Sequence, residues 1–430
     1  MGSSSLNMDE VRGSFPALAG DDVFLDNAAG SQVLGTVVQQ IQDFLLHTNV
    51  QLGATYKASK KATDCYEEGY TAAARYIGAT RDEIVLGPST TQLFRIISFA
   101  LDVSPGDELV LSLADHEANI TPWLDLAARH SLAVRWWAPN AAACPSSPRL
   151  LPADLAPLLT PRTRLVACTH ASNLLGTVHD VRAICAVARA HAPDALVCVD
   201  GVAYAPHRPV DVGELGVDLY GFSWYKVFGP HVAQVYASPR ARARLRSLGH
   251  GFGKQRPQSG EEKEEKEEEE KKKTVTLEEK VGLSGASYEL VAGIPAAVRY
   301  LQGKEGGGGR WDAIVQHEAE LQKLLLKWLS AREDVTVWGE RDGNPAERVP
   351  TISFTVRGWR SKEVVARVEA ESGGRVGIRA GSFYSGRLAE TVLGLDAGDG
   401  VVRVSLVHYN TAGEVQRLIA LLEKILGEKN

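Results

Sequence analysis

The 430-residue chain is 44% hydrophobic and 23% charged, the balance of a globular protein long enough for two or three domains. Its formal net charge of −6 gives no electrostatic reason to bind nucleic acid or an anionic membrane. Every apolar run falls short of the ~18 residues of a membrane span, and Met1–Asp9 lacks the basic and apolar blocks of a signal peptide.

In chain order, a first segment (residues 1–49) is expected to pack with a small C-terminal domain. Short apolar runs then alternate with helical stretches. The runs Glu83–Gly87, Glu108–Leu113, Ala133–Trp137, Arg164–Thr169, Ala195–Asp200, Leu219–Ser223 and Val232–Tyr236 predict strands, several buried on both faces. Thr91–Leu101, Ala118–His130 and Val181–His191 predict helices between them. This alternation predicts an α/β large domain (residues 50–285) with a mainly parallel seven-stranded sheet flanked by helices. A surface insert at about 255–275 interrupts it. Its core, Ser259–Lys273, has neither aromatic nor aliphatic residues, so disorder or a single solvated helix is expected. Residues 286–430 predict a smaller α+β domain. Its elements are helix Ser287–Leu301, a break at Gly306–Gly309, helix Trp311–Leu329, strand Thr351–Val356, helix Ser361–Glu371, strand Val401–Val407 and helix Ala412–Leu426.

Chemistry-bearing residues fall where these strands end. The strand Leu219–Ser223 is followed by Lys226 and a Gly-Pro turn, and open α/β sheets collect ligands at such carboxyl ends. A lysine held there and partly desolvated becomes a nucleophile toward an aldehyde; on this segment alone, a surface lysine after a strand is the slightly favoured reading. The run Leu196–Val199 leads straight into Asp200. Pyridoxal phosphate needs a carboxylate against its pyridine nitrogen, and Asp200 with Lys226 would supply both ends; by itself Asp200 also suits a turn. His116 could stack on a flat ring or be an ordinary core histidine, and Asn173 could reach the phenolic oxygen. Ser89, Thr90 and Thr91 open a helix and suit phosphate, although such residues cap helices routinely. Five scattered cysteines, an odd number with no CxxC pair, disfavour metal and disulfide frameworks and suit a reducing, cytoplasmic setting.

Together, D-H-E-A-N at Asp115–Asn119, S-N-L-L-G-T at Ser172–Thr177, D-G at Asp200–Gly201 and S-W-Y-K at Ser223–Lys226 resemble class V aminotransferases of fold type I, in the cysteine-desulfurase-like branch. The resemblance implies pyridoxal phosphate carried by Lys226, paired with Asp200, stacked by His116 and reached by Asn173. Thr90, Thr91, Ser223 and Tyr225 would bind phosphate. Arg403 would grip the substrate carboxylate, with Arg379 at the mouth of the site. It also implies a homodimer acting on a small amino acid. Two departures stand out. Arg379–Gly386 lacks the cysteine that desulfurases carry as a persulfide, and Ala203 and Ala286 replace usual cofactor contacts.

The stretches Asp26–Gln32 and Thr48–Tyr56 are similar to fungal enzymes of specialised metabolism, the loline-pathway Mannich cyclase most closely and the ustiloxin-type decarboxylative aldolase more distantly. Asn27 and Tyr56 are therefore expected to contact substrate. The implied reaction is carbon–carbon bond formation at the α-carbon of an amino acid, in Mannich fashion on an imine made with an aldehyde. The alternatives are a β/γ-lyase or desulfurase-like enzyme without a persulfide cysteine, and a catalytically silent scaffold.

Overall fold

A computed structural model describes residues 6–248, 275–303 and 310–427. The charged stretch 259–273 and the break at 306–309 lie outside the described residues. Thirteen strands are present among those described: β1 Val23–Phe24, β2 Ile84–Gly87, β3 Glu108–Ser112, β4 Ala133–Trp137, β5 Thr163–Thr169, β6 Leu196–Asp200, β7 Leu219–Ser223, β8 Ala233–Ala237, β9 Val335–Trp338, β10 Thr351–Val356, β11 Val376–Gly377, β12 Arg379–Gly381 and β13 Val401–Ser405.

The expected seven-stranded sheet forms, in the order β2-β8-β7-β6-β5-β3-β4. It is parallel except at β8, which runs antiparallel to both β2 and β7. Successive side chains of a strand point to opposite faces, and here both faces are covered. Leu109, Leu111, Leu165, Ala167, Leu196 and Cys198 pack with Leu93, Phe94 and Ile97 of helix Thr90–Ala100 and with Trp123 and Leu126 of helix Thr121–His130. The intervening Val110, Val166, Cys168, Val197 and Val199 pack on the other face with helices Lys57–Tyr76, Val181–His191 and Tyr288–Gln302. Two-sided burial is why these strands read as nearly continuous apolar runs.

A four-stranded antiparallel sheet, β12-β13-β10-β9, occupies the C-terminal part. Ile352, Phe354, Val402 and Val404 face Leu325, Leu329, Leu418 and Leu422 of helices Trp311–Ser330 and Ala412–Gly427. The N-terminal β1 pairs in parallel with β11, and Asp26 bridges to Ser405 at the end of β13.

Some boundaries moved. Helix 118–130 begins at Thr121, because Glu117–Asn119 forms a separate 3-10 turn and Pro122 suits only a first helical turn. Strand 401–407 ends at Ser405. Helices Gly35–His47 and Lys57–Tyr76 and the strands β1, β9, β11 and β12 were not anticipated.

Candidate active site

The carboxyl ends of β5, β6 and β7 and the start of helix Thr90–Ala100 converge on one cleft of about 520 Å³, part of it open solvent. Ser89, Thr90, Thr91, His116, Asn173, Asp200, Ser223, Tyr225 and Lys226 all line it. Ala203 lines it too, where the family resemblance implies a larger polar side chain. No cysteine lines it among the described residues.

Lys226 is placed by a hairpin inside the sheet. The chain leaves β7, makes the turn Trp224–Lys226 and returns as β8. Trp224 N–H donates to Val232 O at 2.7 Å and Gly229 N–H to Trp224 O at 2.9 Å. The buried Trp224 indole donates to Gln234 at 3.0 Å. Phe228 adopts φ of 60°, a left-handed conformation rare for an aromatic residue, and its N–H is taken by Ser31 Oγ at 3.0 Å. Burial, with the Arg403 charge nearby, brings the Lys226 amine down to about 8, while Asp200 and Asp26 pull it partly back up. A usable fraction is therefore neutral near pH 7.

Asp200 is 5% exposed at the end of β6. Burial raises it to about 6, against the Val202 N–H, which donates to Oδ1 at 2.9 Å, and against the Lys226 charge. Such a carboxylate gains most from a protonated nitrogen beside it. The next residue must be glycine: a Cβ on Gly201 would sit 2.2 Å from the Tyr220 ring. The fully buried Asp115, within the influence of the Asp200 charge, is pushed up to about 8 by burial against the Asn119 amide that donates to it at 2.7 Å.

His116 accepts the Ala118 N–H on Nδ1 at 2.9 Å. Burial and the charges of Lys226 and Arg403 lower it to about 4, so it presents a neutral ring to the cleft. At the other end of the cleft, Thr90 Oγ1 and Ser223 Oγ lie 2.8 Å apart at the first turn of helix Thr90–Ala100. Helix N–H groups with adjacent hydroxyls seat a phosphate. Tyr225 stacks on His231 with centroids 4.8 Å apart. A neutral flat ring, an amine poised near neutrality, a buried carboxylate and an N-terminal helix turn fit pyridoxal phosphate.

The substrate side is built differently. Arg403 on β13 is 2% exposed; Nη2 donates to Asp26 at 3.0 Å and Nη1 to Asn173 O at 3.1 Å. The Phe383 ring covers its guanidinium at 3.6 Å. Arg379 is its direct partner across β12, half-exposed and 3.5 Å from Asp26. The Asn173 amide donates to Phe383 O at 2.9 Å and accepts from Ser385 Oγ at 2.9 Å. Tyr384 faces His116 with ring centroids 5.3 Å apart. Phe383 and Tyr384 both hold left-handed backbone, φ 53° and 59°. They occupy the segment where desulfurases carry their cysteine.

Asn27 and Tyr56 are not brought to this cleft. The Asn27 amide is consumed by Phe24 O, Ser405 O and Asn410, and its oxygen by the Tyr409 hydroxyl. Tyr56 is 52% exposed and precedes helix Lys57–Tyr76. Ala286, Arg379 and Arg403 are likewise absent from the cleft lining, Arg403 reaching it through its bond to Asn173 O. Asp26, Phe383, Tyr384 and Ser385 are the contributors sequence reasoning missed.

Residues 23–418 match the family model for class-V aminotransferases. The chain is 49% identical over 430 residues to the aminotransferase-like protein FGM3 of Gibberella zeae, covering 99% of this chain and 100% of that one. It is 36% identical over 426 residues to the cysteine desulfurase-like protein ustD of Aspergillus flavus, covering 98% and 91%. Among solved structures, the cysteine desulfurase CsdA of Escherichia coli matches with a TM-score of 0.80 at 25% identity, over 99% of this chain and 100% of that one. With its fold, its cleft and this match over most of its length, the chain belongs to the class-V aminotransferase family of pyridoxal-phosphate-dependent, fold type I enzymes.

Proposed function

We propose that this enzyme forms a carbon–carbon bond at the α-carbon of an amino acid, by an intramolecular Mannich-type cyclisation in specialised metabolism. The observation that carries the reading is the mouth of the cleft, where Phe383 and Tyr384 stand in place of a thiol nucleophile.

Pyridoxal phosphate, when bound, supplies an aldehyde for the substrate amine and a ring that withdraws electrons from the α-carbon. The residues of the chain do the rest. Arg403 holds the carboxylate through its planar fork. The neutral amine of Lys226 takes the α-proton as general base. Asp200 keeps a proton at the pyridine nitrogen, and Thr90, Thr91, Ser223 and Tyr225 anchor the phosphate. His116, neutral, supplies a flat wall without adding charge. Phe383 and Tyr384 cover the mouth and limit water, which would otherwise hydrolyse an imine electrophile. Nucleophile and electrophile on one bound molecule gain from proximity.

A lyase acting by β- or γ-elimination is the second reading, favoured by the likeness to a cysteine desulfurase-like relative. Mass spectrometry after incubation with candidate amino acids and aldehydes, in deuterium oxide, tests both. Ring-closed product that has lost the α-hydrogen, with α-deuteration of the recovered substrate, supports the cyclase. Abundant keto acid or sulfide from substrates with a leaving group supports the lyase and removes the cyclase.

A homodimer is part of the proposal, supported by Val38, Leu45 and Leu46, which leave apolar side chains exposed on helix Gly35–His47; sedimentation at the mass of one chain would remove it. Cytoplasmic residence is also proposed, supported by five free cysteines. No helix among the described residues is long and apolar enough to cross a membrane.

A further inference from the structure

Asp26 has no part in the steps above, yet it touches both arginines of the substrate side. Arg379 and Arg403 are direct Cα partners across β12 and β13. Like charges set opposite one another on adjacent strands destabilise a sheet. Asp26 answers both, with Oδ1 at 3.0 Å from Arg403 Nη2 and Oδ2 at 3.5 Å from Arg379 Nη1. Its position is fixed as the chain leaves β1 and runs beside β13. Asp26 bridges to Ser405, and Ala28 N–H donates to Ser405 Oγ at 2.8 Å.

The three side chains form a gradient from core to mouth. Counting side-chain atoms alone, Arg403 is 3% exposed, Asp26 23% and Arg379 52%. Arg403 Nε is buried without a hydrogen-bond partner. Arg387 and Glu117, paired at 3.0 Å, cancel each other's charge. Two guanidiniums and one carboxylate thus leave one net positive charge for a ligand.

We infer that Asp26 is a specificity-determining residue: by cancelling one guanidinium charge it matches the subsite to amino acids with a single carboxylate and disfavours those bearing a second anionic group. A second anion approaching Arg379 meets the Asp26 carboxylate at comparable distance, so attraction and repulsion nearly cancel there. Replacing Asp26 by a neutral isostere leaves both guanidiniums open. The inference rests on Arg403 receiving the substrate carboxylate, as proposed above.

The test is a binding titration of the holoenzyme, followed by the cofactor absorbance, with norvaline as monoanionic and aspartate and cysteate as dianionic probes. Asp26→Asn shifts the ratio of dissociation constants by about tenfold or more toward the dianions, the scale expected for one partly exposed charge. Arg379→Gln, at a half-exposed position, shifts it in the opposite direction. The double variant Asp26→Asn/Arg379→Gln has one net charge again and returns the ratio to within about threefold of wild type. Asp26→Glu keeps the wild-type preference. An unchanged ratio in Asp26→Asn, or a double variant that keeps the ratio of Asp26→Asn, overturns the inference and leaves the carboxylate assignment standing. If Asp26→Asn does not fold, an unshifted ratio in Arg379→Gln overturns it equally. Wild-type enzyme that binds neither probe class overturns the carboxylate assignment and this inference together.

Discussion

The cofactor side and the substrate side of the cleft are assembled by different physics. Lys226, Asp200, Asn173 and Ser223 sit at or just beyond the ends of neighbouring strands of one sheet, so their places follow from backbone ladders. The substrate side joins Asp26, Asn173 and the segment 379–403, which lie far apart in the chain, and its contacts between them are largely made by side chains. The first arrangement fixes atoms that must not vary from one reaction to another. The second can be rebuilt by a few substitutions, and it holds Phe383 and Tyr384.

That contrast can be broken most forcefully at Lys226. Lys226→Ala is expected to release the cofactor on gel filtration and to lower α-deuteron exchange by about 10³-fold; exchange that persists would mean the chemistry lies elsewhere. Asp200→Asn is expected to lower exchange by about 10²-fold while the protein still folds, with Gly201→Ala acting in the same direction by colliding with Tyr220. Cofactor loading should depend on pH through the amine. Only neutral Lys226 attacks an aldehyde, so the loading rate of apoprotein rises about tenfold per unit up to about 8 and then levels. A rise continuing toward 10 would show that burial does not govern the group.

On the substrate side the effects are smaller and fall on binding. Arg403→Lys replaces a fork by a point charge and is expected to raise KM about ten- to hundredfold with little change in kcat, consistent with ~1.5–3 kcal/mol for a charge-assisted bond. An equal fall in kcat would place Arg403 with the catalytic groups instead. Phe383→Leu removes the ring over that guanidinium, about 0.5–2 kcal/mol, and is expected to cost a few-fold in KM and a small drop in Tm.

The same contrast explains what was readable in the sequence. Burial on both faces made the seven strands visible as apolar runs, and the site residues at their ends came with them. Helix Lys57–Tyr76 was invisible because its buried face is largely alanine and tyrosine, set in a stretch rich in lysine and glutamate. On the substrate side the stretch D-N-A-A led to an expectation for Asn27 and none for Asp26. Asp26 is an isolated bridge beside β13, and the chain turns at Asn27–Ala29. Asn27 turned inward, where Phe24, Ser405, Tyr409 and Asn410 use up its amide, and left Asp26 facing the arginines. Nothing local in the chain distinguishes these outcomes; they follow from the bridge of Asp26 to Ser405 and the turn after it. Phe383 and Tyr384 escaped notice for a related reason, since left-handed backbone at two successive aromatics has no propensity signal.

The hairpin between β7 and β8 has one more effect. A lysine on an ordinary strand-to-helix connection would ride on a segment anchored at one end; this one is stitched on both sides, to Val232 across the turn and through Phe228 to Ser31. Its backbone therefore has little freedom, and reach comes from rotation about four methylene groups. Insertions or deletions in the surrounding connections can reshape what enters the cleft without moving the point at which the amine is tethered. Variation in substrate among relatives can accumulate at the rim while the anchor stays put.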